Sequence, residues 1–205
     1  MCITERRRAC GVTLLELIVF IVVVSVAVMG VLTALDLSNR SSTDPMIQKQ
    51  ALAIAEALLE EVQLQPFTYC DPNDDSAATA LSATAGANGC TAAGGIEALG
   101  AESSAPWGPE SRSSATLPFD NVNDYNGFCM GPGSPTCPVA TVSDLEGTPI
   151  SGLEAYRASV VVANQALDDI AAAASLLITV TVTGPSNTTV VLDGYRARYA
   201  PNALP

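Results

Sequence analysis

The sequence predicts an α+β fold: a long N-terminal helix, half membrane-spanning and half amphipathic, packed on a small antiparallel sheet. Three observations carry this expectation. Residues 12–35 are an apolar run with one charge, residues 46–65 repeat apolar side chains at helical spacing, and residues 155–205 hold strand-like alternation. The expected organisation is a short basic segment (1–11), a transmembrane helix (12–35), a linker and amphipathic helix (36–66), an irregular loop-rich region (67–154) and the antiparallel sheet of a head domain (155–205).

Between Arg8 and Asp36 lie 27 residues whose single charge is Glu16. Residues 17–35 would span ~28 Å as a helix, close to the ~30 Å of a hydrocarbon core. Arg6, Arg7 and Arg8 precede the run and a mixed flank follows, so the positive-inside rule puts the N-terminus in the cytoplasm and the rest of the chain outside. A carboxylate deep in such a helix costs ~2.5–3.5 kcal/mol on insertion scales, so Glu16 either stays wet at the interface or meets a positive partner. If the chain is cut after Gly11, the new α-amine of Val12 lies four residues before Glu16, about one helical turn. In a stack of such helices Glu16 would neutralise a neighbour's amine and set the axial register. The competing reading is an ordinary signal anchor or a cleaved signal peptide, for which Ser25-Val26-Ala27 is a passable small-x-small site.

Residues 36–45 are polar and read as a break or kink, with Asp44 as N-cap and Pro45 at the first position of a new helix. From there Ile47, Ala51, Ile54, Leu58 and Val62 share one face, and Gln48, Lys49, Glu56, Glu60 and Glu61 fill much of the rest. Pro66 ends the helix.

Ala, Gly and Ser take 25 of the 48 positions in residues 71–118, which predicts a long, partly mobile loop with little apolar surface to offset its chain entropy. Within it, Trp107 reads as a plug on the head or as an exposed anchor. Cys70, Cys90, Cys129 and Cys137 are even in number and, in an exported domain, read as two disulfides; sequence proximity favours Cys70–Cys90 and Cys129–Cys137 among three connectivities. No Cys-x-x-Cys pair supports a zinc site. In residues 119–128, Asp120, Asp124 and Asn126 offer hard oxygen ligands for calcium, against the alternative of a turn whose Asp and Asn cap backbone groups. Asp71-Pro72-Asn73-Asp74-Asp75 matches the first half of an EF-hand loop but lacks its Gly and its terminal Glu.

Residues 155–163 are rich in β-formers. In residues 175–183, Leu176, Ile178, Val180 and Val182 face one way and Thr179, Thr181 and Thr183 the other. A turn at 184–187 leads into a third strand over 188–199, and the short connection argues an antiparallel hairpin. Three strands laid on the 46–65 helix would make the head.

The formal charge is −12; loss of residues 1–11 would remove three arginines and one glutamate, leaving −14 on the side chains. Such acidity argues against nucleic-acid binding. The chain has no histidine, which removes the commonest general base and the Ser-His nucleophile pair. With no Gly-x-Ser-x-Gly and no convincing carboxylate pair, no enzyme is expected.

The basic segment followed by Gly11, Val12, Thr13, Leu14, Leu15, Glu16 and an apolar run resembles the cleavage and N-methylation motif of type IV prepilins and type II secretion pseudopilins. The resemblance implies a cut between Gly11 and Val12, methylation of the Val12 amine, and Glu16 as the fifth mature residue guiding assembly. The family's first mature residue is usually Phe, where this chain has Val12. Residues 44–67 and 119–127 are similar to the MshD-like proteins of mannose-sensitive haemagglutinin pilus biogenesis. The implied function is a minor pilin-like structural subunit of such a pilus or a related pseudopilus. Its implied partners are prepilin peptidase, other pilin-like subunits and an inner-membrane assembly platform. Its implied place is the bacterial inner membrane, single-pass with a periplasmic head, or an extracellular pilus after assembly. The alternative is a membrane-anchored periplasmic binding module that does not polymerise.

Overall fold

Ser175–Thr183 (β3) is the central strand because its alternation leaves one face wholly apolar: Leu176, Ile178, Val180 and Val182 are all fully buried. It pairs antiparallel with Arg157–Asn164 (β2) on one side and Thr189–Ala197 (β4) on the other, with Val180 opposite both Val160 and Leu192. A two-residue strand, Cys129–Met130 (β1), completes a four-stranded sheet in the order β1-β2-β3-β4. The expected hairpin is present between β3 and β4, turned by Pro185–Asn187 with Ser186 and Asn187 at positive φ. Three strands were expected and four are present, because β1 is too short to carry a period and lies inside the region read as irregular.

The structure is a computed structural model that describes residues 13–133, 137 and 139–202, with the backbone alone for 36–44. Among the described residues one α-helix, α1, is present; it runs Leu14–Leu64 and includes Pro45. Of the two expected readings, a break with restart at Asp44-Pro45 or a kink in a longer helix, the first is corrected: the helix runs through Pro45, although proline removes one N–H and costs ~3 kcal/mol in a helix interior. Pro66 does follow the helix end, and the chain forms two compact units, Met1–Pro45 and Met46–Pro205. With α1 beside an antiparallel sheet, the fold class is α+β, as expected.

In the second unit, Ala51, Ile54, Ala55, Leu58 and Val62 of α1 join the inward residues of β2 and β3 in one core, and Ile47 packs at its edge. Each large side chain there contributes ~1.5–3 kcal/mol by leaving water. Tyr156 fastens the two layers, donating its hydroxyl to Gln50 Oε1 at 2.7 Å. Gly184 makes that approach feasible, since a Cβ on it would meet the Tyr156 ring at 2.6 Å.

Residues 71–118 carry almost no regular structure and bury few apolar side chains (Ala77, Ala80 and Cys90), as the composition predicts, yet the segment is tied down by other contacts. The Cys70–Cys90 disulfide sits in a second small core with Ala77 and Ala80, flanked by Tyr69 and Ile96. Trp107 packs its ring over the backbone of Gly94 and Gly95, where a Cβ on Gly94 would lie 2.8 Å from the ring, so it is a plug. Covalent, small-residue and polar contacts here replace the missing apolar bulk. The second disulfide joins Cys129 and Cys137, so both proximity pairs are formed.

Candidate functional site

Two places carry side chains that a bare fold does not require: the start of the apolar helix and an acidic cluster in the head.

Leu14–Leu35 is 22 residues of helix with mean hydropathy 2.9, none of it buried against protein. It is long and apolar enough to cross a membrane and is compatible with a single-pass anchor or a signal sequence. Its two hydroxyls are satisfied within the helix: Ser25 donates to the Ile21 carbonyl at 2.7 Å and Thr33 to the Met29 carbonyl at 2.8 Å, as hydrocarbon surroundings demand. Thr13 stands immediately before the helix, and its hydroxyl accepts the Glu16 N–H at 3.3 Å. The cap thus sets the start of α1 so that Glu16 falls in its first turn, where the helix dipole favours a negative charge. The Glu16 side chain is exposed and makes no ion pair among the described residues. Gly11 and Val12 lie outside the described residues.

In the head, six carboxylates from separate stretches of chain converge. Oxygens of Asp71, Glu102 and Glu110 lie within 4.8 Å of one another, as do those of Glu97, Glu102 and Asp124, and those of Glu110, Asp120 and Asp124. Each pair of trios shares one residue, Glu102, Glu110 or Asp124, so the six form a run of neighbouring carboxylates rather than one shell. Local structure aims them. The turn Val122–Tyr125 is fixed by a reciprocal cap: Asn121 accepts the Asn123 N–H, while Asp124 Oδ2 accepts the N–H groups of Asn121 at 2.7 Å and Asp120 at 3.0 Å. That turn is tied to the chain leaving α1 by Val122 N–H on the Pro66 carbonyl and by the Asn121 amide on the Thr68 hydroxyl. Glu102 and Glu110 face each other across a loop closed at both ends, the Glu102 N–H donating to Glu110 Oε2 and the Glu110 N–H to the Glu102 carbonyl.

Much of this oxygen is buried and unpartnered. Glu97 is 7% exposed, and neither of its carboxylate oxygens accepts a hydrogen bond; one oxygen each of Asp71, Glu102, Glu110 and Asp124 is likewise unpartnered. Among the described residues no Lys or Arg pairs with any of the six. Arg112 is committed to Glu61; Arg198 lies over the Phe67 and Tyr69 rings and donates to the Ala173 carbonyl, and it feels the charge of Glu97 without pairing with it. Burial, reinforced by the neighbouring carboxylates, raises every resolved affinity for protons: Asp71 and Glu97 upward, Asp120 and Asp124 to about 7, and Glu110 to about 10.

Of the three residues that the sequence offers as calcium ligands, Asp120 and Asp124 belong to the cluster and Asn126 does not. Asn126 Oδ1 instead accepts the Val162 N–H at 3.1 Å, pinning the turn to β2. The half EF-hand at 71–75 is not a binding loop: Asp71 joins the cluster, Asp74 is consumed by Ser76 and Thr91, and Asp75 is exposed. Asp71, Glu97, Glu102 and Glu110 carry no shared spacing that sequence reading could detect.

Beside the helix, a groove of about 630 Å³ opens between α1 residues Gln50, Ile54 and Glu61 and the segment bearing Val142, Leu145 and Ile150. Comparison with protein-family models, with curated proteins and with solved structures returns no match.

Proposed function

We propose that this chain is a pilin-like assembly subunit, made as a precursor, held in the bacterial inner membrane by Leu14–Leu35 with the head outside, and cut after Gly11. The observation that carries the reading is Glu16: one carboxylate in the first turn of an otherwise uncharged apolar helix, four residues beyond the proposed new amine of Val12. A charge there is costly in lipid and becomes useful once a neighbouring subunit's amine meets it. The lack of any protein cover over Leu14–Leu35 supports a helix that packs on other helices or on lipid. The antiparallel sheet laid on the 46–64 half of α1 supports a compact head that displays loops. On this reading the subunit belongs to a pilus of the mannose-sensitive haemagglutinin type or a related pseudopilus, a minor component processed by prepilin peptidase and methylated on Val12.

The test is incorporation. Glu16→Ala is expected to leave the protein in the membrane at normal abundance while removing it from sheared filaments or from crosslinks with other pilin-like subunits. Unchanged incorporation would contradict the role given to Glu16. The groove along α1 favours a second reading, a single-pass anchored binding module that never polymerises. Such a module keeps its N-terminus uncut, and Glu16→Ala leaves it unaffected.

A further inference from the structure

We infer that Glu97, Glu102 and Asp124, at the middle of this acidic cluster, form a binding site for a hard divalent cation of calcium size, which cross-links the irregular region of the head. This goes beyond the assembly reading and does not depend on it.

The geometry is the first ground. Calcium takes six to eight oxygens at about 2.3–2.6 Å, so oxygens on opposite sides of one ion stand about 4.6–5.2 Å apart. Glu97, Glu102 and Asp124 each bring an oxygen within that span of the other two, which leaves the remaining positions of such an ion to water. Magnesium, at about 2.0–2.1 Å, would need them drawn closer and prefers to keep its waters.

The second ground is Glu97. Its carboxylate is buried beneath the surface, turned into the cluster, and neither oxygen has a donor. A buried acceptor without a partner costs about 1–3 kcal/mol, more when charged. Its neighbour Asp124 contrasts with it: Oδ2 is spent capping the turn, while Oδ1, on the other side of the carboxylate, is free. One oxygen fixes the side chain and the other is available to an ion, the division of labour expected of a ligand with an outer-shell support.

The third ground is the charge balance. Six acids with no paired Lys or Arg among the described residues leave a local deficit that a divalent cation answers directly. The connectivity gives the ion its task. Its ligands come from residues 97–102 and from the turn at 120–124, with Asp71 and Glu110 alongside, so binding would staple together a region whose apolar content is low. A metal can stand in for a core in such a case, as a disulfide does.

The test uses the full chain in detergent, stripped with chelator and then titrated with calcium chloride by calorimetry, with thermal melts in parallel. Saturable binding and a melting temperature raised by several degrees are expected, with magnesium much weaker. Glu97→Gln is the informative variant because its oxygens hold nothing else in place. It is expected to raise the melting temperature of the stripped protein, by removing a carboxyl whose ionisation burial opposes, while weakening calcium binding by about tenfold or more, since ligand charge count tunes such sites. Glu56→Gln on the exposed face of α1 is the control and changes neither. Absence of both calcium heat and melting shift in the unmutated chain overturns the inference. So does a Glu97→Gln protein that responds to calcium as the parent does.

Discussion

Arg112 grips Glu61 along one edge of its guanidinium, Nε at 2.6 Å from Oε1 and Nη2 at 2.8 Å from Oε2, with both side chains largely buried. The same Glu61 oxygen accepts the Tyr125 hydroxyl at 2.8 Å, and the remaining Arg112 nitrogen reaches the Ser143 and Asp144 carbonyls. One fork therefore joins α1, the irregular region and the segment beyond β1. Over the same spot Phe119, Tyr125 and Phe128 meet edge to face, with centroids 5.0–6.1 Å apart.

Removing one partner of such a pair strands the other. Arg112→Ala is expected to destabilise the head by about 3 kcal/mol, the lower end for an unmatched buried charge. Arg112→Lys should recover little, because an ammonium cannot make the two parallel bonds. Tyr125→Phe should cost less, about 1.5 kcal/mol, for one hydrogen bond to a charged acceptor. Denaturant melts of the three variants check the order; an Arg112→Ala protein as stable as its parent would remove the clamp from the account.

The two disulfides should differ in weight. Cys70–Cys90 closes a separation of 20 residues and Cys129–Cys137 one of 8. Chain-entropy arguments give about 3 and about 2.5 kcal/mol respectively. The first also centres the small core of Ala77 and Ala80, so the Cys70→Ser/Cys90→Ser protein should lose the larger share of stability and become the more susceptible to proteolysis within residues 71–118. Limited proteolysis followed by peptide mapping reads this out.

The acidic cluster predicts an unusual pH dependence when divalent cations are removed. Burial holds Asp120 and Asp124 at about 7 and Glu110 at about 10, whereas carboxyls in the unfolded chain titrate near ~4. The folded head then binds more protons than the unfolded chain, so these groups contribute most below ~4, and stability falls as pH rises through 7 toward 10. Chelated protein should therefore melt higher at pH 5 than at pH 8. Saturating calcium should reverse the trend, since protons then compete with the ion for the same oxygens. Melts at the two pH values, with and without calcium, check both signs, and equal melting temperatures across all four conditions would contradict the cluster's electrostatics.

How much of this was legible in the sequence follows from the range over which each signal acts. The alternation of Leu176, Ile178, Val180 and Val182 names the inner face of β3, and the 4-3-4-4 spacing from Ile47 to Val62 names the face of α1 that meets it. Both are periodic signals inside a single element. The cysteine pairs were legible because each partner is near in sequence. The carboxylate cluster was not: Asp71, Glu97 and Glu110 are drawn together by backbone bonds such as Gly100 N–H to the Asn123 carbonyl, which no local pattern encodes. Asn126 misled because Asx residues in a turn serve ligands and backbone alike, and here the backbone of Val162 claims it. Asp44-Pro45 misled because an N-cap followed by proline is a start signal only where the preceding chain is not already helical.

The most direct test of the central claim is N-terminal and intact mass spectrometry of the protein from its native membrane, with and without prepilin peptidase. A pilin-like subunit begins at Val12, N-methylated, when the peptidase is present, and retains residues 1–11 when it is absent. A chain that begins at Met1 in both cells, or that is cut near Ala27, would contradict that claim and leave the acidic head as an anchored or secreted binding domain.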